Sequence, residues 1–282
     1  MDHYKSKCIN NWVGYQSTLK HLKSFFKKRK PRFEEVDSRF YELYNDFLLN
    51  MDLSVNTISK DWKHIKAIMR VAKNQKLHTS IDFESFKRKS EETDTIYLTE
   101  DELKAIYNLK LKGSLDLARD YFIIGCYTGL RYSDWDKLNS SVIKDGIAKI
   151  RSSKTGELST IPIPKKVTAI LKKYNGSLPK KFSNQIMNKH IKTIGLHAKI
   201  TEDVTIRSSE GLKKVETTSK KYMLMSTHSA RRSFATILVL KKVSPYVIIR
   251  ITGHRSLKTF ESYVKISDLY ASMELKGKDF FK

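Results

Sequence analysis

The chain has 282 residues, enough for two domains that each bury a core of their own. Its 54 lysines and arginines against 30 acidic residues leave a net charge of +24, more than solubility asks for, so a polyanion is the expected partner, with nucleic acid ahead of an anionic membrane surface. Two cysteines, Cys8 and Cys126, are too few for a disulfide framework or a zinc cluster. No run approaches the roughly 18 apolar residues of a membrane span, and MDHYKSKCINNW lacks the apolar core of a signal peptide, so the chain reads as cytoplasmic.

Residues 1–88 read as helices. Leu19, Leu22, Phe25 and Phe26 lie on one side of a first helix with Lys20, Lys23, Lys27 and Lys28 beside them, and Pro31 in KKRKPR is expected to close it. In SVNTISKDWKHIKAIMRVAKN, Val55, Ile58, Trp62, Ile65, Met69 and Ala72 recur at alternating spacings of 3 and 4, the signature of one buried face. Lys60, Lys63, Lys66, Arg70 and Lys73 recur at nearly the same period on another side, a basic stripe suited to a phosphate backbone. The stretch FKRKSEETDTIY is nearly devoid of apolar residues, and residues 89–97 are expected to be a linker.

A second domain is expected over 98–282. Thr99 and Glu102 stand at the spacing of a capping box, which opens a helix. A long apolar helix, Leu115 to Thr128, stops at Gly129. The alternating segment GIAKIRSSKTGELSTIPIP reads as a hairpin turning at Thr155 and Gly156, and DVTIRSSEGLKKVETTS as a second one turning near Gly211. Helices resume from about residue 229, with Ser244 as the expected cap of PYVIIRIT. The fold class is therefore mainly α with small β-hairpins, α+β.

Four stretches of this second part carry groups suited to chemistry. TGLRYSDW places Arg131 just after a glycine stop, with Asp134 three residues on. Lys154 sits at a hairpin tip. In HSARR, His228 and Arg231 are three positions apart and share a helix face, whereas Arg232 is expected to point elsewhere. GHRSLKTFESYVKI sets His254 nine positions ahead of Tyr263.

Together these residues resemble the tyrosine recombinase, or phage integrase, family: an arginine in a TGxR context, a hairpin lysine, an HxxR pair, a histidine after glycine and a tyrosine nine residues later, in that order. The likeness spans 98–270, and residues 1–88 look like the family's helical, SAM-like core-binding domain. It implies a catalytic domain with a C-terminal tail helix, SDLYASMELKGKDFF, and an enzyme that cuts and rejoins duplex DNA through a 3′-phosphotyrosine and a Holliday junction. Tyr263 is then the nucleophile, and its phenol is also a competent leaving group for the return step. Arg131 and Arg231 stabilise charge at phosphorus. Lys154 protonates the leaving oxygen, His228 assists proton transfer at the tyrosine, His254 donates to the phosphate, and Asp134 orients Arg131.

The resemblance implies no metal and no other cofactor, and the sequence shows no acidic cluster suited to Mg²⁺. Implied partners are duplex recombination sites, further copies of the chain as dimer to tetramer on DNA, and, where the element uses one, an accessory DNA-bending protein, all in the nucleoid. The style of the last motif is that of mobile-element integrases. A type IB topoisomerase shares the catalytic set, and a DNA-binding protein without catalysis is the reading from another class. A covalent protein–DNA adduct discriminates among these.

Overall fold

The computed structural model describes residues 12–27, 29–87, 89–211, 213–253, 256–261 and 264. His254, Tyr263 and the expected tail helix lie outside them. The chain divides into two compact units, Met1–Asp94 with Thr205–Thr217, and Thr95–Val204 with Thr218–Lys282. The expected boundary therefore differs in one respect: thirteen residues from the later part of the sequence, Thr205–Thr217, count with the first unit.

The first unit is helical. Helix α1, Trp12–Phe26, ends before the proline expected to stop it, because Lys27 already takes a left-handed conformation at φ 54°. Helix α2, Ser38–Asn50, begins on Asp37, whose carboxylate accepts the Phe40 N–H at 2.8 Å, and α3, Val55–Asn74, begins on Ser54, whose hydroxyl accepts from Thr57 at 3.3 Å. The predicted apolar face of α3 is the buried one: Ile58, Trp62, Ile65 and Met69 pack against Phe40, Tyr44 and Leu48 of α2. Trp62 places its indole N–H on Asn45 at 2.7 Å, so the largest side chain of this core leaves no unsatisfied donor. Ser209, in the added segment, accepts the Val55 N–H at 3.2 Å.

Residues 89–99 form neither helix nor strand, and the second unit's first helix, α4 (Glu100–Asn108), opens with the predicted capping box: Thr99 accepts from the Glu102 N–H and Glu102 accepts from the Thr99 N–H at 2.7 Å. Helix α5, Gly113–Thr128, is buried on all sides from Ala118 to Cys126, as a helix at the centre of a core must be. A 3₁₀ helix, Tyr132–Lys137, follows. Strands β1 (Ile143–Lys144), β2 (Ile147–Arg151) and β3 (Leu158–Pro162) form an antiparallel sheet in that order, with Arg151 opposite Leu158 at the open end. The alternation read in the sequence is the burial pattern: Ala148, Ile150 and Ile161 face the core while Ile147, Lys149 and Thr160 face out.

Helices α6 (Lys165–Lys173) and α7 (Asn184–His197) lead to β4 (Asp203–Glu210) and β5 (Lys213–Lys220), a two-stranded sheet turning at Gly211. After a single turn, α8 (Lys221–Leu224), come α9 (Thr227–Leu240), α10 (Pro245–Thr252) and α11 (Leu257–Glu261). Ser244 occupies the cap position of α10 but makes no capping hydrogen bond; Pro245, which needs no partner for its nitrogen, does the starting. The core of this unit gathers α4 to α7 around α5, with Trp135, Ile161 and Ala230 among its fully buried members.

Candidate active site

Two left-handed glycines build the site. Gly129 (φ 65°) ends α5 and Gly253 (φ 63°) ends α10, conformations that cost other residues steric strain. Each turn aims carbonyls at an arginine. Arg231, 3% exposed on α9, donates Nη1 to the Gly129 carbonyl at 2.6 Å and Nη2 to the Thr252 carbonyl. Arg131, directly after the α5 turn, donates Nη2 to the Gly253 carbonyl at 3.0 Å and Nη1 to the Ser152 hydroxyl at 3.3 Å. These four acceptors are neutral oxygens.

Elsewhere in the same unit a buried arginine is treated differently. Arg119 meets Asp120 and Asp116, each at 2.5 Å, and Lys173 closes the group onto the same two carboxylates. A guanidinium held by carboxylates has its charge cancelled, whereas one held by carbonyls keeps it available for an incoming anion.

Lys154 lies in the six-residue turn Ser152–Glu157 between β2 and β3. The turn is closed by Ser152 N–H to the Glu157 carbonyl (2.8 Å) and Gly156 N–H to the Ser152 carbonyl (2.9 Å). Ser152, which accepts from Arg131, also accepts the Lys154 N–H at 3.3 Å, so one hydroxyl ties the arginine to the lysine's backbone. Lys154 is exposed.

Asp134 departs from its expected role. Its carboxylate accepts the Ser153 N–H at 2.9 Å and pairs with Lys137 at 2.9 Å, and none of its bonds reaches Arg131. Burial opposes its ionisation, but the Ser153 N–H and hydroxyl and the Lys137 ammonium outweigh that and hold the carboxyl below its ordinary value. What this carboxylate fixes is the turn that carries Lys154.

His228 stands in the first turn of α9. That turn is secured by the Thr227 N–H donating to Asn188 at 2.9 Å and the Thr227 hydroxyl to Asn184 at 3.0 Å, two partners from α7 that local sequence did not reveal. Desolvation of its ring and the charges of Arg232, Arg231, Lys154 and Arg131, in that order, push its imidazole down to about 4. The residue as a whole remains exposed. The hydrogen bonds join Arg131 to the Lys154 turn through Ser152, and Arg131 and Arg231 meet the adjacent Gly253 and Thr252 carbonyls, with His228 one turn before Arg231 on α9. Helix geometry corrects the reading of Arg232: four residues on a helix turn through 400°, so Arg232 lies about 40° from His228, nearer in angle than Arg231.

The basic stripe of α3 does not behave as one surface. Lys60, Lys63 and Lys73 are exposed, but Lys66 donates to the Glu84 and Phe86 carbonyls (2.7 and 3.1 Å) and Arg70 pairs with Glu84 through two nitrogens (2.7 and 2.5 Å). Among the described residues no group of three or more His, Cys, Asp and Glu side chains is placed to hold a metal ion, and no helix is long and apolar enough to cross a membrane.

Comparison with known proteins gives this geometry its setting. The description "Phage integrase family" matches residues 97–269, and "Phage integrase SAM-like domain" matches residues 1–89. A tyrosine recombinase of Thermosipho africanus (strain TCF52B) is 26% identical over 175 residues, which are 61% of this chain and 58% of that protein; the match thus spans little more than half of the relative. Among solved structures, a lambda integrase dimer bound to a COC′ core site is 15% identical with a TM-score of 0.69, covering 93% of each chain. The Tn1549 transposon integrase in complex with transposon right end DNA is 17% identical with a TM-score of 0.66, covering 95% of this chain and 93% of that one. At these identities the likeness is one of fold.

Proposed function

The chain belongs to the phage integrase family, and from that premise we propose that it is a site-specific tyrosine recombinase that cuts and rejoins duplex DNA through a 3′-phosphotyrosine, with strand exchange through a Holliday junction. The observation that carries this reading is a pair of arginines anchored by carbonyls, set beside a lysine and a histidine with four cations acting on it. A cluster of positive charge held in that way is a receptor for a phosphate that gains charge as it reacts.

Each group then has a task. The Tyr263 phenol oxygen attacks phosphorus while its proton passes to His228, whose neutral ring can accept it. Arg131 and Arg231 offer their remaining N–H groups to the nonbridging oxygens. The bond to the 5′ oxygen breaks as Lys154 gives that oxygen a proton, with Asp134 holding the turn from which Lys154 reaches. His254 donates to the phosphate. The bond energy is kept in the phosphotyrosine, so the reaction needs neither metal nor nucleotide, and religation runs the same steps backwards.

The substrate is duplex DNA at recombination sites, bound by copies of the chain as a dimer and then a tetramer, with an accessory DNA-bending protein where the site calls for one. The relatives solved on a core site and on a transposon end support such partners. The place of action is the cytoplasm, at the nucleoid, and the mobile-element style of the last motif favours integration and excision over dimer resolution. Phe260 and Val264 are buried with Ala235, Val239 and Ile248.

The test is covalent trapping. On a nicked suicide substrate made from the ends of the genetic element, the wild-type chain yields a protein–DNA adduct on the peptide containing TFESYVK. Tyr263→Phe binds the same DNA and yields none. An adduct on another residue, or cleavage by the Phe variant, overturns the reading; relaxation of supercoils without strand exchange makes the chain a nicking-closing enzyme.

A further inference from the structure

We propose that Ser152 is a positioning residue of the cleavage step, its buried hydroxyl coupling the backbone of Lys154, the acid for the leaving oxygen, to the guanidinium of Arg131, a ligand of the reacting phosphate. The tasks of the lysine and the arginine rest on the recombinase reading; the coupling between them rests on geometry alone. Three successive amides of the β2–β3 turn are each held: Ser152 N–H by the Glu157 carbonyl at 2.8 Å, Ser153 N–H by the Asp134 carboxylate at 2.9 Å and Lys154 N–H by the Ser152 hydroxyl at 3.3 Å. The Ser152 carbonyl accepts from Gly156 at 2.9 Å, so the backbone of this residue is spent on closing the turn and its side chain is left for another task.

A hydroxyl oxygen has two lone pairs, and this one meets two N–H donors, the Lys154 amide and Arg131 Nη1, each at 3.3 Å. Ser152 is only 8% exposed, so solvent has little room to take over its bonds. Arg131 is fixed on its other side by the Gly253 carbonyl at 3.0 Å. A second measure brings the same elements together. A side chain built on Gly253 would come within 3.5 Å of the Glu157 carboxylate, 3.8 Å of the Ser159 hydroxyl and 3.9 Å of Arg131 Nη1, which puts the end of α10, the foot of the turn and the guanidinium side by side. The Asp134 carboxylate holds the turn but not the guanidinium, and the Gly253 carbonyl holds the guanidinium but not the turn. Ser152 bonds to both. General-acid catalysis needs the donor within reach of the leaving oxygen while the phosphate is clamped. With one oxygen joining them, the lysine is placed relative to the arginine, and so relative to the phosphate that the arginine binds.

The experiment compares Ser152→Ala with the wild type on two suicide substrates, one with an ordinary phosphodiester and one in which sulfur replaces the bridging 5′ oxygen. When the P–S bond breaks, the departing thiolate needs no proton, so this substrate bypasses Lys154. Ser152→Ala is expected to bind both duplexes within a few-fold of the wild type and to form adduct on the phosphodiester roughly ten- to a hundredfold more slowly, the scale of a misplaced catalytic group. On the phosphorothiolate most of that loss should disappear. Ser152→Ala added to Lys154→Ala should slow the phosphodiester reaction by no more than about threefold beyond Lys154→Ala alone, because the hydroxyl then has no acid to place. In the DNA-free chain, hydrogen exchange of the Lys154 amide should be several-fold faster in Ser152→Ala, while the Ser153 amide, held by Asp134, exchanges as before. A wild-type rate on the phosphodiester, an equal loss on both substrates, or a double variant in which the two losses multiply overturns the inference. Failure of the wild-type chain to form any adduct breaks the recombinase reading instead; the Lys154 amide then judges the coupling by itself, and an unchanged exchange rate there overturns it.

Discussion

Each unit holds a cluster of polar side chains around a histidine, and the two clusters are built on opposite plans. In the first unit, Thr18, His21, Tyr44, Asp61 and His64 are all buried and turn on one another. The Thr18 hydroxyl donates to Asp61 at 2.7 Å and meets His64 Nδ1 at 2.8 Å, His21 meets the other Asp61 oxygen at 2.6 Å, and Tyr44 donates to that oxygen at 3.3 Å. Burial, then the Asp61 charge, pushes the Tyr44 phenol up, so it stays a donor. One carboxylate at the centre answers three donors and the cluster is closed. In the second unit, among the described residues, Arg131 donates to a carbonyl and a hydroxyl and Arg231 to two carbonyls, while four cations act on His228. Polar groups that satisfy each other hold a fold together; like charges steadied by neutral groups wait for a ligand of opposite sign.

That contrast breaks most visibly at Asp61. Asp61→Ala leaves His21, Thr18 and Tyr44 without their acceptor, and each buried donor left unsatisfied costs about 1–3 kcal/mol. A urea titration should show that loss, and hydrogen exchange should place it in residues 12–94 while the amides of α9 keep their protection. A cost below about 1 kcal/mol, or faster exchange in α9, means the cluster is not the closed structural unit described. Arg131→Ala and Arg231→Ala are expected to act on the reaction instead. Duplex binding stays within a few-fold, while adduct formation falls by about a hundredfold or more, the usual consequence of removing one electrostatic donor from a reacting centre. A parallel fall in binding and cleavage makes these arginines part of the fold and the contrast false.

What the sequence made legible divides along the same line. Groups defined by near neighbours could be read: the Thr99–Glu102 box, the apolar face from Ile58 to Ala72, the Gly129 stop before Arg131 and the turn that carries Lys154 all depend on residues within one or two helical turns. Arrangements closed over long separations could not. Thr18 and Asp61 lie 43 residues apart, Thr227 is held by residues 39 and 43 positions earlier, and Arg131 reaches Gly253 across 122. Asp134 was read against Arg131 because the two are near in sequence, while its partner is Ser153 of a turn 19 residues on. Arg232 was misread for another reason: the spacing of three that joins His228 to Arg231 drew attention from the spacing of four, which turns a side chain to the same face.

The smallest effect, and the one that sharpens the contrast most finely, concerns the basic stripe of α3, where both plans occur on one helix. Lys66 and Arg70 are spent on Glu84 and the Phe86 carbonyl, in the manner of the closed cluster, whereas Lys60, Lys63 and Lys73 are exposed and make no hydrogen bond or ion pair among the described residues, in the manner of the open one. If duplex binding draws on this helix, only the second set releases counterions when phosphate arrives. Each of Lys60→Ala, Lys63→Ala and Lys73→Ala should then reduce the slope of log affinity against log salt by roughly one and weaken binding alike on specific and unrelated duplexes. Lys66→Ala and Arg70→Ala should leave the slope nearly unchanged. The Arg70–Glu84 pair is exposed and screened by solvent, so little stability goes with it. Equal slopes across all five variants would mean that the intramolecular bonds of Lys66 and Arg70 give way to DNA, and a stripe read from spacing alone would describe the surface better than the pairing does.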